Sequence, residues 1–212
     1  MNINKYIDHT LLAATAQSEE IQKLCFEAKK FGFYAVCVNS SRVKVAKNEL
    51  VETDVKIAAT IGFPLGACFT EAKIAEAVKS VQDGADEIDM VINIGFLKDG
   101  KSAEVQREIL YIKKAIENCV LKVIIETCYL SEKEIMKACE LAMQAGADFI
   151  KTSTGFGSRG ASYDDIKIMK KVVGEEIKIK ASGGIKDAET AMKYINLGVH
   201  RIGTSSGIKI IS

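Results

Sequence analysis

The sequence predicts an α/β chain closed into an eight-stranded parallel barrel, and three observations carry that prediction. Short apolar runs of strand length alternate with longer amphipathic segments along the whole chain. A glycine that reads as a helix stop recurs at Gly32, Gly84, Gly146 and Gly198, at spacings of 52, 62 and 52 residues. Each interval holds two strand-like and two helix-like runs, so a strand-plus-helix unit is roughly 26 to 31 residues and the chain accommodates eight. Strict alternation of buried strands with helices is the pattern of parallel β joined by right-handed crossovers. Eight such units close a TIM (β/α)8 barrel. The alternative, an open doubly wound sheet, is weakened because no G-x-G-x-x-G turn follows the first strand.

The elements follow in order. The first strand is read at residues 6–10. After Ser18 a helix carries Ile21, Leu24, Cys25 and Ala28 on one face, the i, i+3, i+4, i+7 stripe that packs on a core. Gly32 ends it, because glycine enters the left-handed region past a helix end without a Cβ clash. Further strands read at residues 34–38, 55–60, 87–92, 121–125, 149–151, 177–180 and 201–203. Thr70 and Asp187 are expected N-caps, and Ser131 with Glu134 makes a capping box ahead of the stripe Ile135, Ala138, Cys139, Ala142 and Met143. Nine residues follow Gly203, too few for a loop and a full helix, so the last helix is expected to be short or vestigial and the mouth to lack a C-terminal lid. With about 26 residues per unit, residues 1–212 read as one compact barrel domain near the lower size limit of the fold.

Composition narrows the function classes. The 212 residues are 48% hydrophobic and 27% charged, as in an ordinary globular protein. Lys and Arg number 29 against 28 Asp and Glu, which leaves no global field to recruit nucleic acid or an anionic membrane. No apolar run approaches the roughly 20 residues of a membrane span, and the N-terminus leads into no signal-peptide core, so a cytoplasmic protein is expected. The six cysteines include no C-x-x-C pair and are each read as part of a hydrophobic pattern, with Cys25 and Cys139 as core packing. Only two histidines are present, so no metal site is expected.

In a barrel, chemistry collects at the C-terminal strand ends. There the sequence places Asp8 and His9, Cys37 and Asn39, residues 62–64, Asp89 and Asn93, residues 126–128, the run KTSTG from Lys151, the run KASGG from Lys180, and residues 203–206. Lys151 and Lys180 stand out, because an ammonium at a buried strand end is costly unless paired. One such lysine alone is most simply a structural ion pair. Two on consecutive strands repel: at about 5 Å and an effective dielectric near 20 the penalty is roughly 3 kcal/mol, or about two pKa units, which is the lever a nucleophilic amine needs. Asp89, inside an apolar strand, is a carboxylate that needs a reason to be there: it either satisfies backbone groups or supplies the acid that a nucleophilic amine needs nearby, placed to relay protons without simply pairing with it. By alternation Lys178 shares the interior side with Lys180, nearer the closed end. Gly183 and Gly184, followed by a helix near Asp187, and Ser205 and Ser206 after the last strand are expected to cradle an anion with backbone N–H groups, where barrels commonly hold phosphate.

These residues also carry a resemblance. The segments YIDHTLL (6–12), CVN (37–39), IGFPLG (61–66), ADEIDMVINIG (85–95), IETC (125–128), ADFIKTSTGF (147–156), KASGGI (180–185) and RIGTSSG (201–207) run in order over nearly the whole chain and resemble the deoxyribose-phosphate aldolase family. The resemblance implies a class I, cofactor-free and metal-independent aldolase that interconverts 2-deoxy-D-ribose 5-phosphate with D-glyceraldehyde 3-phosphate and acetaldehyde. It implies Lys151 as the Schiff-base lysine, Lys180 as the neighbour that tunes it, and Asp89 as proton donor and acceptor through water. Gly183, Gly184, Ser205, Ser206 and Thr154 would bind substrate and phosphate, Cys37 would wall the pocket, and Asp8 would support the water network. It further implies a homodimer or homotetramer with small-molecule partners, and neither nucleic acid nor membrane. The sequence departs from the family pattern at Lys178, where a small residue is usual, so an extra charge on the barrel floor is expected. It also departs in stopping at Ser212, without the tyrosine-ended tail of some relatives. The readings set against the aldolase are a phosphate-binding barrel isomerase using acid–base groups alone and a non-catalytic sugar-phosphate binding protein.

Overall fold

Eight parallel strands close on themselves in strict chain order in a computed structural model that describes residues 2–212. The first half runs β1 (Ile7–Leu11), α1 (Ser18–Phe31), β2 (Ala35–Asn39), α2 (Val43–Glu49), β3 (Lys56–Ile61), α3 (Thr70–Gln82) and β4 (Glu87–Val91). Two helices, α4 (Ile94–Lys98) and α5 (Ser102–Ala115), then precede β5 (Val120–Ile124), which accounts for the longer middle interval of the glycine repeat. The second half runs α6 (Glu132–Gln144), β6 (Phe149–Lys151), α7 (Tyr163–Val173), β7 (Lys178–Ser182), α8 (Ala188–Asn196), β8 (Arg201–Thr204) and α9 (Gly207–Ile211). Closure pairs Ile7 with Ile202, Asp8 with Gly203 and His9 with Thr204. The last helix has five residues and is vestigial, as expected. No described helix is long and apolar enough to cross a membrane.

Strand alternation sorts the side chains into two environments. Ile7, Val36, Ile88, Val123, Ile150, Ile179 and Ile202 face outward and join the helix stripes, including Ile21, Leu24, Cys25, Ile135 and Cys139, in one continuous core between barrel and helices. Each fully buried aliphatic side chain of this kind contributes about 1.5–3 kcal/mol. The positions in between point into the barrel, where Cys37 and Ala58 pack with Leu12 as a small apolar cluster, Phe149 closes the floor, and Asp8, Glu87, Asp89, Lys122, Lys151, Lys180 and Arg201 bring buried charge.

Local signals in the sequence act largely as read. The glycines Gly32, Gly84, Gly146 and Gly198 all take positive φ. Ser131 and Glu134 form the capping box of α6, and Asp187 caps α8 by accepting from the Thr190 N–H at 2.8 Å. Thr70 is not a cap: it is the first residue of α3, Phe69 is the N-cap, and the Thr70 hydroxyl turns to Glu108 at 3.4 Å. Cys25 and Cys139 are buried, and burial pushes both thiols up to about 12. Cys68 departs from the expected hydrophobic pattern, being exposed in the loop between β3 and α3, and Cys128 is half-buried in a turn after β5. Lys178 also corrects the reading. It opens β7 but is exposed, its ammonium 5.6 Å from the Phe149 ring centroid, so that Phe149 rather than the lysine closes the floor.

A buried ion pair steadies the strand that carries Asp89. Lys73 on α3 meets Glu108 on α5 at 2.8 Å and donates to the Val91 carbonyl at 2.8 Å, while Glu108 accepts the Asn93 N–H at 3.2 Å. Gly66 is required nearby, because a Cβ there would lie 1.9 Å from the Ile92 carbonyl oxygen. Replacing Glu108 by Leu strands the Lys73 ammonium in the interior and is expected to cost about 3–5 kcal/mol in urea unfolding, whereas the double change Lys73→Met, Glu108→Leu recovers most of that loss. A Glu108→Leu protein as stable as the parent contradicts this role.

Candidate active site at the barrel mouth

The interior of the barrel holds seven charged side chains in contact. Asp89 on β4 is fully buried and takes three ammonium groups on two oxygens: Lys122 at 2.7 Å on Oδ1, and Lys151 at 2.7 Å and Lys180 at 2.8 Å on Oδ2. The Lys151 and Lys180 nitrogens share one oxygen atom, so they are no farther apart than those two bonds laid end to end. Lys180 also pairs with Asp8. Beneath this layer Arg201 donates to Asp8 Oδ1 at 2.7 Å and to Glu87 Oε1 at 3.0 Å, and Glu87 meets Lys122 at 2.5 Å. The Arg201 guanidinium lies 3.3 Å from the Tyr34 ring centroid, which holds its plane against the floor.

Electrostatics decides the protonation of these groups. Burial alone would lift the Asp8 carboxyl, but the Lys180 ammonium and then the Arg201 guanidinium outweigh it and hold it at about 2. Burial acts the same way on Asp89, and Lys122, Lys151 and Lys180 together carry it well below the ordinary carboxylate range. Burial works against the charge on Lys180 and Lys122, yet the carboxylates of Asp8 and Asp89, and of Asp89 and Glu87, raise them. Both therefore stay cationic at neutral pH. The Cys37 thiol, 3.9 Å from Asp89 Oδ2, is pushed up by burial and stays neutral.

Lys151 is the one member of this cluster that lines the adjacent cavity, a space of about 400 Å³ at the C-terminal mouth. Gly183, Gly184, Ser205, Ser206 and Thr154 line it as well. Gly183 and Gly184 both take positive φ, and among the described residues neither their N–H groups nor that of Ser205 donates to another protein group. The Ser206 N–H is already committed to Thr204 Oγ1 at 2.9 Å. The start of α8 offers less to an anion than its sequence position promises, because the Asp187 carboxylate caps it. Cys37 and Asp8 lie beneath the cavity rather than in its lining.

The loop after β6 ties the lysine to the glycine-rich loops. The Thr154 hydroxyl bonds the buried Glu126 carboxylate, which also accepts the Thr154 N–H at 3.1 Å. Arg159 forks onto Asp165 at 2.5 and 3.0 Å. Gly160 lies backbone to backbone on Gly183, where a Cβ would sit 2.1 Å from the Gly183 carbonyl oxygen. Sequence reasoning passed over Lys122, Glu87, Arg201 and Lys186, the last an exposed cation on the cavity rim. Alternation signals the first three, each an even number of residues from an inward position on its own strand. Among the described residues no three His, Cys, Asp or Glu side chains converge to hold a metal ion.

A parallel barrel that presents a lysine amine, held on a buried carboxylate, to a glycine-lined cavity at its C-terminal mouth defines a class, the TIM-barrel lyases of aldolase type. Residues 3–212 match the DeoC/LacD family aldolase model, and the chain belongs to that family. It is 58% identical to the deoxyribose-phosphate aldolase of Thermococcus gammatolerans, across all of this chain and 96% of that one. It is 54% identical to the deoxyribose-phosphate aldolase of Mycoplasmopsis pulmonis, again across all of this chain and 96% of the relative. Among solved structures, the aldolase QR15 matches with a TM-score of 0.95 and 46% identity over 98% of this chain and 93% of its own. The tetrameric deoxyribose phosphate aldolase of Aeropyrum pernix matches with a TM-score of 0.93 and 30% identity over 99% and 89%.

The depressed Asp8 carboxyl makes acid stability testable. Its stabilisation is fully present above its unfolded value of 3.8 and disappears as pH falls through the folded value of about 2. For this group alone the loss is about 2–3 kcal/mol. Urea midpoints are expected to fall steeply from about pH 4 to pH 2, and a flat profile there contradicts the ionised Asp8.

Proposed function

We propose that the chain is a class I aldolase that cleaves 2-deoxy-D-ribose 5-phosphate reversibly to D-glyceraldehyde 3-phosphate and acetaldehyde, with Lys151 as the amine nucleophile. The observation that carries this reading is the Lys151 ammonium on Asp89 Oδ2 at 2.7 Å, facing the cavity beside a second ammonium that keeps its proton. A neutral Lys151 adds to the C1 aldehyde of the open-chain sugar, water leaves, and a protonated imine forms. The C3 hydroxyl gives up its proton as the C2–C3 bond breaks. The bonding pair flows into the imine, leaving an enamine on Lys151 and releasing D-glyceraldehyde 3-phosphate. Protonation of the enamine carbon and hydrolysis then free acetaldehyde and the amine.

Asp89 and Lys180 handle the protons in this reading. The carboxylate has lost its hydration to three ammonium groups and is near enough to Lys151 to take its proton directly as well as through water. The N–H groups of Gly183, Gly184 and Ser205 hold the 5-phosphate, with Ser206 on the same loop. Thr154 acts chiefly by fixing the loop that follows the nucleophile, while Cys37 and Asp8 support the cluster from below. The reading extends to one barrel domain over residues 1–212 that works in the cytoplasm without a cofactor, as a homodimer or homotetramer whose size light scattering reads directly.

Borohydride added with acetaldehyde is expected to place one ethyl group on Lys151, and Lys151→Arg to abolish both label and turnover while the fold is kept. A label on another lysine, or turnover that survives borohydride with substrate, points to the acid–base isomerase. Phosphate esters bound but recovered unchanged point to a binding protein. Ser205→Asp sets a carboxylate against the phosphate and is expected to raise KM for the phosphorylated sugar about tenfold or more, with little effect on unphosphorylated 2-deoxyribose. Equal effects on both sugars contradict the assignment of this loop.

A further inference from the structure

The sealed cluster does not balance its charge. Four cations, Lys122, Lys151, Lys180 and Arg201, face three carboxylates, Asp8, Glu87 and Asp89, all of them buried. When all seven are ionised the cluster carries one surplus positive charge among side chains that are almost wholly buried. Arg201 cannot deprotonate, and Lys122 and Lys180 are each gripped by two carboxylates. Lys151 has one carboxylate partner and opens on the cavity. Loss of its proton brings the cluster to neutrality.

We propose that the barrel floor, Glu87 with Arg201 and Lys122, sets the charge state in which Lys151 enters the reaction, by leaving the cluster one positive charge in excess. Glu87 touches neither Lys151 nor the cavity. It is a positioning residue that acts through Lys122 at 2.5 Å and Arg201 at 3.0 Å, both of which bear on the carboxylates above them. The charged and titratable groups around Lys151 come from each strand packed on it, with the exposed Lys186 on the rim of the cavity it lines. Asp89 from β4 and Lys180 from β7 are its direct neighbours. Behind them stand Asp8 from β1, Lys122 from β5 and Arg201 from β8, together with the neutral Cys37 of β2, and β3 contributes the apolar Ala58. Removing a negative charge from the floor therefore favours the neutral amine, and removing a positive charge disfavours it.

This inference rests on Lys151 as the amine nucleophile, and the test separates the two. The initial rate of borohydride trapping of acetaldehyde on Lys151 is measured against pH in the full-length protein and in variants of the floor. Glu87→Gln is expected to move the acidic midpoint of trapping down by about one pH unit, making trapping about tenfold faster below it. Lys122→Met is expected to move the midpoint up by about the same amount and slow trapping about tenfold. Glu87→Asp, which keeps the charge, is expected to return the midpoint to that of the parent. Shifts in opposite directions in the two charge-removing variants establish the proposal. A loss of packing alone moves both the same way or changes rates without moving the midpoint, and either outcome overturns it. If one variant fails to fold, the other decides together with its charge-keeping counterpart, Glu87→Asp for Glu87→Gln or Lys122→Arg for Lys122→Met: a shift in the stated direction that the counterpart reverses supports the proposal, and one that the counterpart shares overturns it. If the parent protein takes no label on Lys151, the aldolase assignment fails instead.

Discussion

Three ammonium groups on the two oxygens of Asp89 are the constraint around which the rest of the molecule is arranged. Each buried ion loses several kcal/mol of hydration, and attraction offsets that only where every lone pair and proton has a partner. Asp8 and Glu87 complete the pairing from below, with Arg201 forked between them and stacked on Tyr34. An interior of this kind contributes little net stability. The fold draws its stability from the other side of the strands, where aliphatic residues of all eight strands meet the helix stripes. That division of labour lets the barrel centre serve chemistry rather than packing.

Position relative to the cavity separates the lysines by role. Lys122 and Lys180 are fully enclosed between carboxylates and hold their protons, while Lys151 stands at the end of β6 with one partner and an open side. The loops after β6 and β7 are locked together through Gly160 on Gly183 and through the Ala161 N–H to the Ser182 carbonyl at 3.0 Å. In the proposed reaction, substrate anchored by the glycine-rich loops is thereby held at a set distance from the amine, which is how binding at a remote group assists bond breaking. Glu126, the residue with left-handed backbone at the end of β5, fixes the start of that loop through Thr154.

Much of this was legible in the residues themselves. Hydrophobic periodicity located all eight strands to within a residue or two, and the glycine repeat marked the returns because each needs a positive φ. Lys151, Lys180 and Asp89 were legible because a charge inside an apolar strand needs a reason, and the structure brings all three onto one oxygen. Lys122 and Glu87 carried the same signal but sit a layer deeper, away from the strand ends where chemistry is sought. Direct pairing of Asp89 with Lys151 was not legible, since alternation gives the side of a strand and not the reach of a side chain. The same limit explains Lys178, which lies on the interior side as alternation requires yet ends outside the Phe149 ring. Thr70 was misread as a cap because its hydroxyl finds a better partner in Glu108, a residue of another helix.

Seven buried charges leave one positive charge in excess, and the proposed reaction needs Lys151, the ammonium with a single carboxylate partner and an open side, to be the group that gives it up. Nitrogen-15 NMR of the lysine side chains in the full-length protein, titrated through neutral to mildly alkaline pH, counts those protons directly. The account predicts that the Lys151 resonance alone moves to the neutral-amine position while Lys122 and Lys180 remain ammonium. A neutral Lys180 or Lys122 beside a charged Lys151, or three lysines that titrate together, would contradict it.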